Sequence, residues 1–181
     1  VYSYARVFVN GNFVREHHGG FTAWEVDLTD YVQPGKRAIM HVGVTDRADD
    51  ISYASGYAHH PIGGILRKVQ LVMLPKEHIN RFYVNTDLSD DLKAATVNFD
   101  IASNVLSGGS KINLQLLNAA GSVVANKIID LDNNGQARFS LTLNDPVLWN
   151  QEHPYLYTAK IELVKNERKE QIIVQQIGIR N

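Results

Sequence analysis

Period-two alternation of apolar and polar residues runs through almost every segment of this chain, with Val, Ile, Phe and Tyr filling the apolar positions. Such side chains suit a pleated, half-buried surface, whereas an amphipathic helix would repeat near 3.6 residues. The chain therefore reads as all-β. Asn10-Gly11, set between Val7-Phe8-Val9 and Phe13-Val14, predicts a tight hairpin, because both turn residues accept positive φ. Further strands are expected at Trp24–Leu28, Ala38–Thr45 and Ile65–Leu74, with Gln33-Pro34-Gly35-Lys36 forming the turn that precedes Ala38.

Pro75-Lys76-Glu77 marks a boundary, giving expected domains at residues 1–76 and 77–181. Beyond it come seven strand-like runs starting near Ile79, Ala95, Ile112, Val123, Ala137, Leu156 and Ile172. That spacing suits a seven-stranded immunoglobulin-like β-sandwich. Gly108-Gly109, Gly121-Ser122 and Asp132-Asn133-Asn134-Gly135 supply its turns. All five prolines, at 34, 61, 75, 146 and 154, fall in loops or at segment edges, where a missing N–H interrupts no ladder.

Charge excludes some partners. The 18 Lys+Arg nearly cancel the 19 Asp+Glu, and neither sign gathers into a block, so no footprint for nucleic acid or an acidic membrane surface exists. No stretch reaches the roughly 20 apolar residues of a membrane span. Absence of cysteine removes disulfides and thiolate metal sites yet fits either redox setting, with a periplasmic or secreted location slightly preferred to the cytoplasm. Val1 opens directly into a strand-like run without a start methionine, so the chain is expected to be cut from something longer.

Five segments carry a family resemblance in collinear order. They are Val7-Phe8-Val9-Asn10-Gly11, the run His17-His18-Gly19-Gly20-Phe21-Thr22-Ala23-Trp24 continuing to Val32, Gly63-Gly64-Ile65-Leu66-Arg67, Asp145-Pro146-Val147-Leu148-Trp149 with Pro154-Tyr155-Leu156-Tyr157, and Gly178-Ile179-Arg180. Together they resemble the sugar-binding and immunoglobulin-like regions of glycoside hydrolase family 2, the β-galactosidase, β-glucuronidase and β-mannosidase group. The resemblance implies a jelly-roll sugar-binding domain ahead of the sandwich. Such a domain has about eight strands, and only five or so fit before Leu74. The first domain is thus expected to be partial and looser than the sandwich, or to borrow strands from another copy.

The resemblance also implies chemistry that lies elsewhere: two glutamates on a (β/α)₈ barrel following the sandwich, acting as nucleophile and acid/base in a retaining mechanism. No alternating βα pattern here could hold such a pair, so no catalytic residue is assigned and the chain alone is expected to be inactive. Many family members carry an aspartate five residues before the Gly-Gly-Ile-x-Arg motif, where this chain has Ala58. The neighbouring His59 and His60 are then the candidate substrate-binding residues, as donors or acceptors to sugar hydroxyls.

Bland roles account for the other conspicuous residues. Trp149 is expected to plug the end of the sandwich, and Arg67 to fix its loop through a carboxylate or backbone carbonyls. The doublets His17-His18 and His59-His60 invite a zinc reading, but neighbours on a strand point to opposite faces and supply at most one ligand to a given point. No metal and no cofactor are expected. The expected partners are a β-glycoside and the catalytic barrel, both through the parent enzyme, and a homo-oligomer is compatible with the sequence. The rival reading is a stand-alone carbohydrate-binding or adhesion module, with Tyr53, Tyr57 and Trp24 stacking on sugar rings.

Overall fold

In the computed structural model of the 181-residue chain, residues 4–20, 22–45, 63–104 and 109–180 are described. They are built from strands, with one 3₁₀ turn at Thr29–Tyr31. Two compact units divide the chain, Val1–Leu71 and Val72–Asn181.

The first unit holds a three-stranded antiparallel sheet of β1 (Tyr4–Val9), β2 (Asn12–His18) and β3 (Met40–Thr45), in the order β2-β1-β3. Its hairpin turn has Asn10 at φ 50° and Gly11 at φ 84°, the two-residue geometry whose twist matches flanking strands. Asn10 also acts as a clamp. Its side-chain nitrogen donates to the Tyr31 carbonyl at 3.0 Å while its oxygen accepts from Ile39 N at 3.0 Å, tying the hairpin tip to the 3₁₀ turn and to the approach to β3. Gly35, at φ 76°, closes the expected turn, with Lys36 N donating to the Gln33 carbonyl at 3.1 Å.

Two expected strands are absent. Residues 24–28 and 65–74 form no ladder, and β3 starts at Met40 rather than Ala38. Alternation encodes which face of a segment is apolar, but a strand also needs a hydrogen-bonding neighbour. The Glu25 carbonyl instead accepts from the Arg15 side chain at 2.6 Å. In the other segment Val69, Leu71 and Met73 are 61%, 80% and 90% exposed.

The second unit is a three-on-four sandwich. One sheet orders β4 (Ile79–Leu88), β5 (Ala94–Ser103) and β8 (Gln136–Asn144) as β4-β5-β8. The other orders β6 (Ser110–Leu117), β7 (Val123–Asp130), β9 (Tyr157–Lys165) and β10 (Arg168–Ile177) as β10-β9-β6-β7. The chain crosses between sheets after β5, β7 and β8, as expected of an immunoglobulin-like sandwich. Strict alternation along β5 puts Ala95, Val97, Phe99 and Ile101 inside, facing Ile112, Leu114 and Leu116 of β6 and Ala159, Ile161 and Leu163 of β9. Each large aliphatic here is completely buried, worth about 1.5–3 kcal/mol relative to exposure. β9 starts one residue beyond the expected Leu156, and β10 starts at Arg168, four residues before Ile172. That early start comes from the tight turn Asn166-Glu167, with φ of 47° and 63°.

Candidate functional site

The described residues of the first unit bring one polar cluster together, on the face of its sheet opposite the buried Ala5, Val7 and Val9. Tyr4 and Arg6 of β1, Glu16 and His18 of β2, and Gly43 and Thr45 of β3 line a shallow depression of about 110 Å³. Register explains the grouping. A two-residue turn alone would set Arg6 opposite Arg15, a repulsive pair, but an irregularity between Val7 and Phe8 shifts the ladder so that Arg6 faces Glu16 and Tyr4 faces His18. On the other side Gly43 pairs with Arg6 and brings no side chain, which leaves the floor open.

Glu16 sits between Arg6 and His18. It accepts from Arg6 Nε at 2.6 Å and from the His18 ring, and those bonds, His18 first and then Arg6, hold its carboxyl below the usual range. The Tyr4 ring meets His18 edge-on, with centroids 4.8 Å apart, so the imidazole is fixed from two sides. The cluster offers hydrogen-bond donors and acceptors in a fixed array.

His17 projects to the opposite face, where it stacks on Trp24 at 4.7 Å with the rings 7° from parallel. Its Nε2 is buried without a hydrogen-bond partner among the described residues. Burial, ahead of the nearby positive charge of Arg15, lowers its pKa and keeps it neutral. Trp24, a stacking platform in the rival reading, is thus engaged by a histidine of its own unit. The doublet splits across the sheet. Among the described residues no group of three His, Cys, Asp or Glu side chains converges as a metal site would require.

His59 and His60 lie outside the described residues, as do Ala58, Tyr53 and Tyr57. Arg67 donates to the adjacent Leu66 carbonyl at 3.2 Å. Trp149 is half-buried at the end of the sandwich. Its backbone N–H donates to the Ile179 carbonyl at 2.7 Å, its indole packs against Gly178, where an added Cβ would lie 3.2 Å away, and the Arg180 guanidinium stands 5.7 Å from the ring centroid.

Sequence models of two related domains match nearly the whole chain. The one described as "Glycosyl hydrolases family 2, sugar binding domain" covers residues 1–75, and "Glycosyl hydrolases family 2" covers 77–180. The chain belongs to glycosyl hydrolase family 2.

Relatives agree. A β-galactosidase of Thermoanaerobacter pseudethanolicus is 31% identical over 169 residues, covering 91% of this chain and 23% of its own length. A putative β-glucuronidase of Formosa agariphila is 28% identical, covering 97% of this chain and 21% of its own length. The crystal structure of the Parabacteroides merdae β-glucuronidase superposes with a TM-score of 0.85 at 21% identity, over 99% of this chain and 24% of that one, which shows the shared fold. This family 2 chain thus spans about a fifth to a quarter of these relatives. Its Arg6–Glu16–His18 cluster lies within the stretch matched by the sugar-binding domain.

Proposed function

We propose that the chain is the non-catalytic N-terminal region of a retaining β-glycosidase of β-galactosidase or β-glucuronidase type, with domains at 1–76 and 77–181. Its task in the whole enzyme is positional: the sugar-binding domain lines one wall of the substrate pocket, and rigid packed sheets hold its loops near the glycoside. His59 and His60 contact sugar hydroxyls in this reading. The single observation that carries it is the end-to-end match to two successive family 2 domains, with β-galactosidase and β-glucuronidase relatives four to five times longer.

The electrostatics of the described carboxyls support an inactive fragment. A retaining glycosidase needs a carboxylic acid whose pKa is raised beside a second, ionised carboxylate. Every described carboxyl with a resolved shift moves the other way, as Glu16, Asp27, Asp91, Asp100 and Glu162 are all held ionised by cations or hydrogen bonds. The purified 181 residues should not release nitrophenol from nitrophenyl β-galactoside or β-glucuronide, and should restore activity when mixed with a separately produced catalytic remainder. Turnover by the 181 residues alone overturns the reading. The stand-alone binding module is favoured instead if the intact gene encodes no barrel with a glutamate pair.

A further inference from the structure

The outer face of the β4-β5-β8 sheet differs from that of the four-stranded sheet. Among its described residues the only large hydrophobic side chain left exposed is Tyr83, at 62%. Around it, polar side chains stand in register rows across all three strands, and hydrogen bonds join several of them. Tyr83, Asp100 and Arg138 stand in one register row, where Asp100 accepts from Arg81 at 2.8 Å and from Arg138 at 3.1 Å. Asn85, Asn98 and Ser140 form the next, in which Asn98 accepts from Ser140 at 2.6 Å and donates diagonally, at 2.6 Å, to Asp87. Asp87, Thr96 and Thr142 form the third.

These links fix otherwise floppy side chains and leave most of their capacity unspent. A guanidinium has five N–H groups, and each arginine uses one in the contacts above. Both remain more than half exposed, Arg81 at 53% and Arg138 at 70%. The two arginines cancel Asp87 and Asp100, so the face has no net charge to attract a polyanion or an acidic membrane. It also exposes no large aliphatic side chain among its described residues. The other sheet contrasts with it: Val123, Ile128, Ile172 and Val174 are exposed there.

We propose that this face is a second carbohydrate-binding surface, separate from the sugar-binding domain, and that it takes a neutral oligosaccharide or polysaccharide chain. The Tyr83 ring is the stacking platform for the apolar face of a pyranose. Arg81, Arg138, Asn98 and the Thr96 and Thr142 hydroxyls hydrogen-bond ring substituents. Three strands span about 10 Å, and the rows run across that width, which suits an extended chain lying over a flat sheet rather than one sugar held in a cavity. In the whole enzyme such a surface would keep polymeric substrate close to the catalytic domain.

The test is affinity electrophoresis of the 181-residue chain in gels containing neutral β-1,4-galactan, mixed-linkage β-glucan or polygalacturonate. At least one neutral polysaccharide should retard the chain. Tyr83→Ala should weaken that retardation at least tenfold and Arg138→Ala about threefold, with unchanged thermal midpoints showing that both variants fold. Val174→Ala on the opposite sheet should migrate like the parent chain. Retardation by polygalacturonate alone, no retardation by any of the three, or equal retardation of Tyr83→Ala overturns the proposal. Because the readout is the binding lost with Tyr83 of the sandwich, it fails or succeeds independently of the turnover experiment above.

Discussion

The second unit packs aliphatic side chains from two sheets against each other, whereas the described residues of the first bury only Ala5, Val7 and Val9, all from one strand. The sequence pattern hardly distinguishes them. β1 alternates buried and open positions as cleanly as β5 does. What differs is the second layer: Val97, Phe99 and Ile101 meet Leu114 and Ile161, while β2 and β3 contribute no fully buried side chain. Period-two patterning thus states which way a residue points and is silent on what covers it.

Each unit carries one tryptophan, Trp24 or Trp149, so the comparison can be attacked with one probe at a time. The largest effect should come from Leu114→Ala, which leaves a cavity in the sandwich and should cost about 3–5 kcal/mol, against about 1–3 kcal/mol for Val7→Ala. Urea unfolding followed at Trp149 in a Trp24→Phe background, and at Trp24 in the reverse one, checks both. A Val7→Ala cost equal to that of Leu114→Ala would erase the contrast.

Acid should act next. Glu162, on the outer face of the four-stranded sheet, is only 2% exposed, held by Lys160 and Lys169 at 2.9 Å and by Asn113 at 3.0 Å. Lys160 foremost, then Lys169, pull its pKa from 4.5 to about 2. A lowered folded-state pKa gives stability that is complete above the unfolded value and disappears as pH falls from about 4.5 towards 2. Thermal midpoints read at Trp149 should therefore drop across that window, and Glu162→Gln should flatten the drop. Glu162→Ala should cost about 1–3 kcal/mol at neutral pH, since both lysines retain access to water.

Asn10→Ala should loosen the first unit by about 1–3 kcal/mol, because it loses both the left-handed turn residue and the clamp on Tyr31 and Ile39. Asn10→Gly, which keeps the turn geometry, should recover part of that loss in the Trp24 transition. The smallest effect expected is a gain. Glu167 occupies φ 63°, so Glu167→Gly should stabilise the sandwich by about 0.5–1 kcal/mol without moving the Trp24 transition.

Legibility followed the same divide. In the sandwich, turn residues bracket every strand and each strand finds partners, so alternation alone located β4 to β9 within two residues. Trp24–Leu28 has the same alternation and Ile65–Leu74 ends in the apolar run Leu71-Val72-Met73-Leu74, yet no ladder forms in either. The splitting of His17 from His18 was readable from strand geometry. The Arg6–Glu16–His18 cluster was not, because the hairpin turn by itself gives the wrong register; the unfavourable Arg6–Arg15 pairing it implies was the available clue. The cross-strand rows around Tyr83 need three strands aligned at once, which pairwise sequence reading does not supply.

The contact between Trp149 and the residues after β10 sets a rule for anyone grafting this sandwich onto another protein. Ile179 is wholly enclosed, Gly178 has no room beside the indole for even a methyl group without displacement, and Arg180 lies over the ring. A fusion junction placed at Ile177 would strip one side of that tryptophan and release the loop from Asp145 onward. Heterologous sequence belongs beyond Arg180.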